Sequence, residues 1–211
     1  MIERQELFDY LSEEKIKFHE KRDTHFKSDA SFLTLGNPFA IVFPKNETEI
    51  IKLVTFAAKH EIPITPRAMG SSTAGAALAT EETILMIVDR IGVCDKWGMR
   101  KRKPEIKFVD RDLNPTELEE GDDRELYAVV GAGLSTDELD KFLKQKNYHT
   151  AVVPSSGWSS ISGNFATNAG GNGTPKYGTF KDVVGYLKMI VADENGAKIV
   201  EITDKNKIEK M

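Results

Sequence analysis

The sequence contains almost nothing that a disulfide-rich or metal-cluster protein requires. Cys94 is the only cysteine among its 211 residues. An intramolecular disulfide and any all-cysteine iron–sulfur or zinc site within the chain are therefore excluded. A chain with this cysteine usage is typical of a reducing compartment, and we expect one here.

Long apolar runs and a strong net charge are also missing. No apolar run approaches the length of a bilayer span, and the polar start of the chain, Met1 to Glu6, contains no signal-peptide core. The formal net charge of -4 gives no field that would hold nucleic acid or an anionic membrane. With 40% hydrophobic and 29% charged residues, the composition is ordinary for a globular protein. We expect a cytoplasmic protein that is at most peripheral to a membrane.

Two glycine-rich segments are the strongest signal in the sequence. The first runs from Pro66 to Gly75 and the second from Ser162 to Gly173. Glycine exposes backbone N–H groups and takes φ values that other residues avoid, and the small polar side chains beside it can bond an anion. One such segment could be a turn. Two of them, each preceded by a β-rich apolar run, predict a large phosphate-bearing cofactor.

The first glycine segment does not match the nucleotide signatures that depend on a helix dipole. It has no Lys-Ser/Thr ending, and Gly70 to Gly75 neither gives the dinucleotide-binding spacing nor opens an evident helix. Binding would come from backbone N–H groups and from the hydroxyls of Ser71, Ser72 and Thr73, with Arg67 as a candidate charged partner. A diphosphate suits these donors. The alternative is a tight surface loop whose serines satisfy only the backbone.

The first part of the chain has the pattern of a parallel α/β unit. Residues 2–19 carry apolar positions at helical spacing and are interpreted as a surface helix. Strands are predicted at residues 39–43 and 62–65, and a capping box at Asn46 and Glu49 begins a helix between them. This β–α–β pattern predicts parallel strands with a right-handed crossover. The first glycine segment leaves the end of the second strand, where ligands collect in α/β sheets.

A charged segment follows a further predicted strand at residues 84–88. Residues 96–125 are basic in their first part and acidic in their later part. The opposite blocks nearly cancel, which favours a solvated hairpin or loop insertion over a nucleic-acid patch. We assign no function to this segment.

The later part of the chain combines another helix with strands of a different pattern. Residues 127–131 resume β structure, and a capping box at Ser135 and Glu138 begins a helix that continues through Lys146. The predicted buried face of this helix comprises Leu139, Phe142 and Leu143. From Asp182 the sequence becomes β-rich, including Val183 and Val184. The turn at Glu194 to Ala197 contains Asn-Gly and predicts an antiparallel hairpin.

These stretches resemble, in order and spacing, the FAD-linked oxidase superfamily of the vanillyl-alcohol oxidase type, which carries the PCMH-type FAD-binding domain. Residues 67–78 resemble its pyrophosphate loop, particularly that of the glycolate oxidase and D-lactate dehydrogenase branch. Further agreement lies at residues 27–32, 43–50, 154–156, 161–171, 176–184 and 189–196. The resemblance covers about residues 24 to 203 and implies the N-terminal FAD-binding portion of such a protein.

The resemblance implies an α+β fold of two subdomains, a small parallel α/β unit followed by a mixed or antiparallel sheet unit. We expect a lead-in with the N-terminal helix at residues 1–36 and the FAD-binding domain at 37–211. Within that domain we expect subdomain 1 at about 37–95, the charged insertion at about 96–125 and subdomain 2 at about 126–211.

The resemblance also implies a set of cofactor-binding residues, carried over position by position. The pyrophosphate would lie on Arg67, Ala68, Met69, Gly70, Ser71 and Ser72. The flavin side would be lined by Pro154, Ser155, Ser156, Gly163, Asn164, Thr167, Asn168, Gly170 and Gly171, and the adenine would meet Ile190 and Val191. A side chain at Gly163, Gly170 or Gly171 would occupy space that the cofactor needs. As alternatives, Asn164 and Asn168 cap only the backbone, and Tyr177 is a core aromatic.

The sequence departs from the family pattern in ways that bear on chemistry. Ala68 replaces the usual glycine, and Met69-Gly70-Ser71 stands where covalent flavoenzymes place histidine, so we expect non-covalent FAD. The family's substrate domain and histidine-bearing catalytic motif do not occur in these residues. None of the four histidines lies in such a motif: His19, His25, His60 and His149. We therefore assign no catalytic residue and no metal ligand.

The resulting functional hypothesis is an FAD-dependent oxidoreductase, or its FAD-binding portion, that oxidises a 2-hydroxy acid such as D-lactate or glycolate by hydride transfer to FAD. Its partners would be the small-molecule substrate and either a partner subunit or a C-terminal substrate domain, with no nucleic acid and no transmembrane segment. Three alternatives stay open. The chain could be a non-catalytic FAD-binding subunit completed by another polypeptide, a flavin reductase of the cell-wall precursor type, or a degenerate domain that folds without cofactor.

Overall fold

The computed structural model describes residues 2–19, 24–35, 37–89, 91, 106–119 and 126–203. The chain divides into two compact units, of which one comprises Met1–Ile91 and Lys188–Val200 and the other Gly92–Leu187 and Glu201–Met211. Cys94 and more than half of the charged segment at residues 96–125 lie outside the described residues. In the described part of the chain, no helix is long and apolar enough to cross a membrane.

The first unit contains a mostly parallel sheet with helices packed on it. Its elements are α1 (Arg4–Glu13), β1 (Lys17–His19), a 3₁₀ turn (Thr24–Phe26), β2 (Ala40–Phe43), α2 (Glu47–Lys59), β3 (Ile64–Arg67) and β4 (Ile84–Ile87). The strand order is β1-β2-β4-β3. Both β2 and β3 run parallel to β4, and β1 is antiparallel to β2. The predicted parallel β–α–β unit is confirmed, with β4 inserted between its two strands.

The prediction of one helix over residues 2–19 is wrong at its C-terminal end. The chain leaves the helix after Glu13 and passes Lys15 at φ 57°, then continues as β1. This reversal brings the Phe18 ring onto the Phe8 ring, with centroids 4.8 Å apart. Ile16 is buried in the same core as Leu7. The apolar spacing identified core residues correctly, but these residues belong to α1 and to the segment that follows it, not to one helix.

The helix α2 forms as its sequence predicts. The Asn46 side chain accepts a hydrogen bond from the Glu49 N–H at 2.9 Å. The Glu49 carboxylate accepts from the Lys45 N–H rather than from the N-cap itself. Its apolar face buries Ile50, Leu53, Val54 and Ala57, and these side chains cover the sheet.

The second unit begins with a small antiparallel sheet. Its strands are β5 (Lys107–Val109), β6 (Pro115–Thr116) and β7 (Tyr127–Val129), in the order β6-β5-β7. The helix α3 (Thr136–Lys144) carries the predicted capping box at Ser135 and Glu138. It ends at Lys144 rather than Lys146, and Phe142 is half-buried whereas Leu139 and Leu143 are buried. Together with the parallel first unit, this sheet confirms the predicted α+β class.

The second glycine segment is more helical than the sequence suggested. Three short helices follow α3: α4 (Ile161–Ala166), α5 (Thr174–Tyr177) and α6 (Phe180–Val183). The β-rich interpretation from Asp182 is therefore wrong at Val183, because the Asp182 carboxylate and Thr179 form a capping box that starts α6. The strands β8 (Tyr186–Asp193) and β9 (Gly196–Thr203) follow and pair with each other. Their two-residue connection confirms the predicted antiparallel hairpin.

Candidate cofactor site

The first glycine segment leaves the carboxyl end of β3 in the first unit. Gly70 is buried and adopts a φ of +69°, in the left-handed region that favours glycine. A Cβ atom at this position would lie 2.3 Å from the Arg67 Nη2 atom. Gly70 therefore combines a turn that only glycine adopts freely with a close approach to a buried cation.

A run of backbone N–H groups in this segment has no acceptor in the described part of the chain. It extends from Ala68 to Thr73, and the hydroxyl of Ser71 likewise makes no hydrogen bond to any described residue. Ser72 differs, because its hydroxyl accepts from the N–H groups of Ala74 at 3.2 Å and Ala76 at 3.1 Å. Successive unpaired N–H groups around a left-handed residue are the general pattern of an anion-binding backbone nest.

Arg67 directly precedes this run of N–H groups and is buried, with 6% of its surface exposed. Its guanidinium donates from Nη1 to the Ala77 carbonyl at 3.1 Å and from Nη2 to the Ser28 carbonyl at 2.9 Å. It also lies 5.6 Å from the centroid of the Phe26 ring. Desolvation lowers the pKa of Arg67 while the Asp29 charge acts to raise it, and arginine stays protonated under both influences. The side chain thus holds chain carbonyls on both sides of the glycine segment.

An upstream segment supports the same loop. The Ala30 N–H donates to the Gly70 carbonyl at 3.1 Å. Asp29 Oδ1 accepts from the Ser31 N–H at 2.9 Å, and its Oδ2 is buried without a hydrogen-bond partner among the described residues. Sequence reasoning missed this contact with Gly70. The Asp29-Ala30-Ser31 pattern, typical of an Asx turn, was the local signal that could have indicated an ordered segment there.

The second glycine segment contains α4, which begins at an N-cap serine in the second unit. Ser160 is buried, and its hydroxyl accepts from the Gly163 N–H at 3.1 Å. Asn164 is 4% exposed and donates from Nδ2 to the Thr136 hydroxyl at 2.8 Å. That hydroxyl in turn donates to the Ser159 carbonyl at 3.3 Å. A buried polar network that includes Thr136, which the sequence did not single out, therefore holds the start of α4 against α3.

The glycines of this segment are required for different reasons. A Cβ at Gly171 would lie 2.1 Å from the Val153 carbonyl oxygen, and one at Gly163 would lie 2.9 Å from the Ser160 hydroxyl. The backbone itself therefore excludes a side chain at Gly171, without reference to a cofactor, whereas at Gly163 the Ser160 hydroxyl would have to shift. At Gly170 the nearest atom would be the Thr174 hydroxyl at 3.3 Å, which is a milder contact.

The other predicted residues of the second unit lie at or near the surface. Ser155 and Thr167 are exposed, and Pro154 and Ser156 are half-buried. The Thr167 hydroxyl donates to the Gly163 carbonyl at 3.0 Å. Asn168 adopts φ 49° and accepts from the Lys181 N–H at 3.1 Å, which is the backbone-capping contact that the sequence left open.

The predicted adenine residues lie on β8, in the first unit. Ile190 packs partly buried against the core of that unit, and Val191 is half-buried. Tyr177 of the second unit is half-buried, with the Lys176 ammonium 4.7 Å from its ring centroid.

The histidines lie outside both glycine segments. His19 and His60 each pack on a phenylalanine ring at 4.4 Å, His25 meets Phe26 edge-on, and the His149 Nδ1 atom lies 2.9 Å from the Thr150 carbonyl oxygen. Within the described ranges, no group of three or more His, Cys, Asp or Glu side chains is placed to hold a metal ion.

Comparison with known proteins identifies the family pattern in these segments. Residues 38–99 and 109–199 match the family described as "FAD binding domain". The chain is 28% identical over 168 residues to a D-lactate dehydrogenase of Archaeoglobus fulgidus, and 27% identical over 169 residues to glycolate oxidase subunit GlcD of Bacillus subtilis. Each alignment covers 80% of this chain, but only 32% and 31% of those relatives. The chain thus spans about a third of their length.

A solved structure shares the fold. Cholesterol oxidase from B. sterolicum superimposes with a TM-score of 0.64 at 17% identity, over 90% of this chain and 33% of that one. At this identity the likeness concerns the fold alone, and it agrees with a PCMH-type FAD-binding architecture.

Proposed function

We propose, because this chain belongs to the FAD binding domain family, that it carries the cofactor of a flavin-dependent oxidoreductase acting on a 2-hydroxy acid. FAD is the cofactor of this family. To this cofactor the proposal adds a substrate class, the 2-hydroxy acids. D-lactate and glycolate, the compounds in the names of the two relatives, are both 2-hydroxy acids.

The run of unpaired N–H groups from Ala68 to Thr73 carries the proposal. These donors surround Gly70, whose φ of +69° turns the backbone so that neighbouring amides can face one anion. A pyrophosphate group fits such a set, because its oxygens accept several hydrogen bonds at once. The Ser71 hydroxyl would add one further donor. The residues present therefore fit the diphosphate of FAD.

The second glycine segment is proposed as the flavin side of the cofactor site. Gly170 and the exposed residues Ala166 to Asn168 would contact the cofactor directly. Asn164 would stabilise this segment without contacting the cofactor, since its amide donates to the Thr136 hydroxyl. The remaining positions are Pro154, Ser155, Ser156, Gly163 and Gly171, with Ile190 and Val191 near the adenine. Met69 has no nucleophile that could attach to a flavin, so the cofactor would be held non-covalently.

Bound FAD supplies the hydride acceptor for oxidation of a hydroxyl-bearing carbon. The described residues would bind and orient the cofactor through the backbone donors of the first glycine segment. No described residue beside either glycine segment is assigned as the base that removes the hydroxyl proton.

A matched pair of serine variants tests the proposed pyrophosphate loop. Ser71→Ala removes a hydroxyl that makes no contact within the described chain, so FAD affinity should fall about 2- to 10-fold while thermal stability stays unchanged. Ser72→Ala removes the acceptor for the N–H groups of Ala74 and Ala76, so the melting temperature should fall as well. Titration by flavin fluorescence and a thermal melt measure both. Ser71→Ala with wild-type affinity would contradict direct binding by this hydroxyl.

Anaerobic reduction of bound flavin tests the substrate class. The FAD-loaded protein is mixed with D-lactate, glycolate and other 2-hydroxy acids, and the loss of the visible absorption of oxidised flavin is followed. Reduction by this class and not by simple alcohols supports the proposal. Stable FAD binding without reduction by any of them would instead favour the FAD-binding subunit completed by another polypeptide.

A further inference from the structure

We propose that Arg67 is a positioning residue, which fixes the backbone that carries the run of N–H donors and does not contact the cofactor. This inference rests on the proposed function, because it concerns the same pyrophosphate loop. It replaces the sequence-based hypothesis of a direct charge contact between Arg67 and the diphosphate.

The directions of the guanidinium hydrogen bonds carry the argument. One N–H group reaches the Ala77 carbonyl, ten residues after Arg67, and another reaches the Ser28 carbonyl, thirty-nine residues before it. The contacts join Ala77, just after the glycine segment, to Ser28 in the upstream segment. Since the side chain is 6% exposed, little of it is left to meet a ligand.

Gly70 fits against the same guanidinium. A Cβ at Gly70 would lie 2.3 Å from Nη2 and 2.8 Å from Cζ. The glycine backbone therefore rests directly on the cation. The Gly70 carbonyl also accepts from the Ala30 N–H at 3.1 Å, so two separate contacts fix Gly70.

The residues that complete this support precede the matched family region, which begins at residue 38. Ser28 and Ala30 supply backbone groups, and Asp29 places its charge near Arg67 with one buried carboxylate oxygen that has no hydrogen-bond partner in the described chain. A planar fork with several donors can hold two carbonyls at once, whereas a lysine ammonium is a point charge. Arginine is required here for its geometry.

The test compares Arg67→Gln and Arg67→Lys in the full chain, with Arg111→Gln as the matched control at an exposed arginine of the second unit. We expect both Arg67 variants to bind FAD at least about 10-fold more weakly than wild type, since each loses hydrogen bonds from a charged donor. Binding is measured well below each variant's melting temperature, so that loss of folded protein does not contribute. The lysine variant keeps the charge and covers the case in which the glutamine variant does not fold.

Two readouts separate positioning from direct charge contact. Amide hydrogen exchange without cofactor should accelerate in peptides covering residues 68–76 in both Arg67 variants and stay unchanged in Arg111→Gln. The dependence of FAD affinity on salt should be the same in Arg67→Gln as in wild type, because a direct ion pair would be screened and its removal would flatten that dependence.

Each outcome decides between the alternatives. Near-wild-type affinity of Arg67→Lys together with a flattened salt dependence of Arg67→Gln would overturn the positioning role in favour of direct contact. Wild-type affinity in both Arg67 variants, or unchanged exchange at residues 68–76, would overturn it outright. Failure of the wild-type chain to bind FAD would overturn the proposed function and this inference together, and is distinguished from the other outcomes by that measurement alone.

Discussion

Gly171→Ala should destabilise the second unit much more than Gly170→Ala, although the two glycines are neighbours. A Cβ at Gly171 would lie 2.1 Å from the Val153 carbonyl oxygen, 2.7 Å from its carbon and 2.8 Å from the Pro154 Cα. All three are backbone atoms, so no side-chain rotation relieves the clash. The segments must move apart.

The cost follows from the hydrogen bonds at that point. Val153 and Asn172 exchange two backbone hydrogen bonds, of 3.0 and 2.9 Å. Losing both costs about 1–3 kcal/mol, so we expect the free energy of unfolding to fall by about 2 kcal/mol. At Gly170 the nearest atom to a new Cβ is the Thr174 hydroxyl at 3.3 Å, and no positive φ is involved. The reduced conformational freedom of the unfolded chain stabilises the Gly170→Ala variant by about 0.4–1 kcal/mol, which offsets the tight contact.

Urea unfolding monitored by tryptophan emission measures the difference, since Trp158 lies in the second unit. With a typical urea dependence of about 1–3 kcal/mol/M, the midpoint of Gly171→Ala should fall by about 1 M. Gly170→Ala should stay within about 0.3 M of wild type. Equal midpoints for the two variants, or a larger loss at Gly170, would refute the assignment of Gly171 to a close backbone approach.

Three further outcomes are expected. Acid precipitation of the FAD-loaded protein should release the flavin into the supernatant; flavin that stays in the pellet would contradict non-covalent binding. Thr136→Val should lower the free energy of unfolding by about 1–3 kcal/mol, because the buried Asn164 amide loses its acceptor. Thr167→Val, at an exposed hydroxyl, should change the free energy of unfolding by less than about 0.5 kcal/mol. Comparable losses in the two variants would argue against the buried network. Although desolvation acts to raise it, hydrogen bonds led by that from Lys144 hold the pKa of Asp140 below its usual value. The stability from this carboxylate is therefore present above about pH 3.9 and lost as pH falls through its folded-state pKa. Asp140→Asn should accordingly lower the melting temperature at pH 7 and match the wild-type melting temperature in strong acid. A difference that persists in strong acid would contradict the electrostatic origin.

Local chemistry in the sequence was sufficient for several elements. The capping pairs at Asn46 and Ser135 and the Asn195-Gly196 turn involve residues within a few positions of one another. Their hydrogen bonds form wherever the surrounding fold allows, so sequence spacing predicts them well. The glycine segments and their likeness to an FAD-binding family were evident for the same reason, since a run of small and polar residues is a local pattern.

Tertiary structure decided where those patterns lie relative to one another within each unit. β4 pairs between β2 and β3 although it follows both in sequence, and the end of α1 was set by packing of Phe18 on Phe8. Local propensity contains no information on such pairings, because they depend on which apolar faces meet. Val183 lies in the short helix α6 although its β-branched pattern predicted a strand. Here a local capping contact outweighed the β-branched pattern.

The same division holds for the candidate site. A sequence can place Arg67 before a glycine loop, but it cannot tell whether the guanidinium faces a ligand or a carbonyl, since both accept the same hydrogen bonds. The partners that decide it are the carbonyls of Ser28 and Ala77, one of them thirty-nine residues away. Asn164 is similar, because its acceptor on Thr136 lies twenty-eight residues upstream. Residue type and local spacing therefore indicated the cofactor, and long-range contacts determined which side chains remain available to bind it.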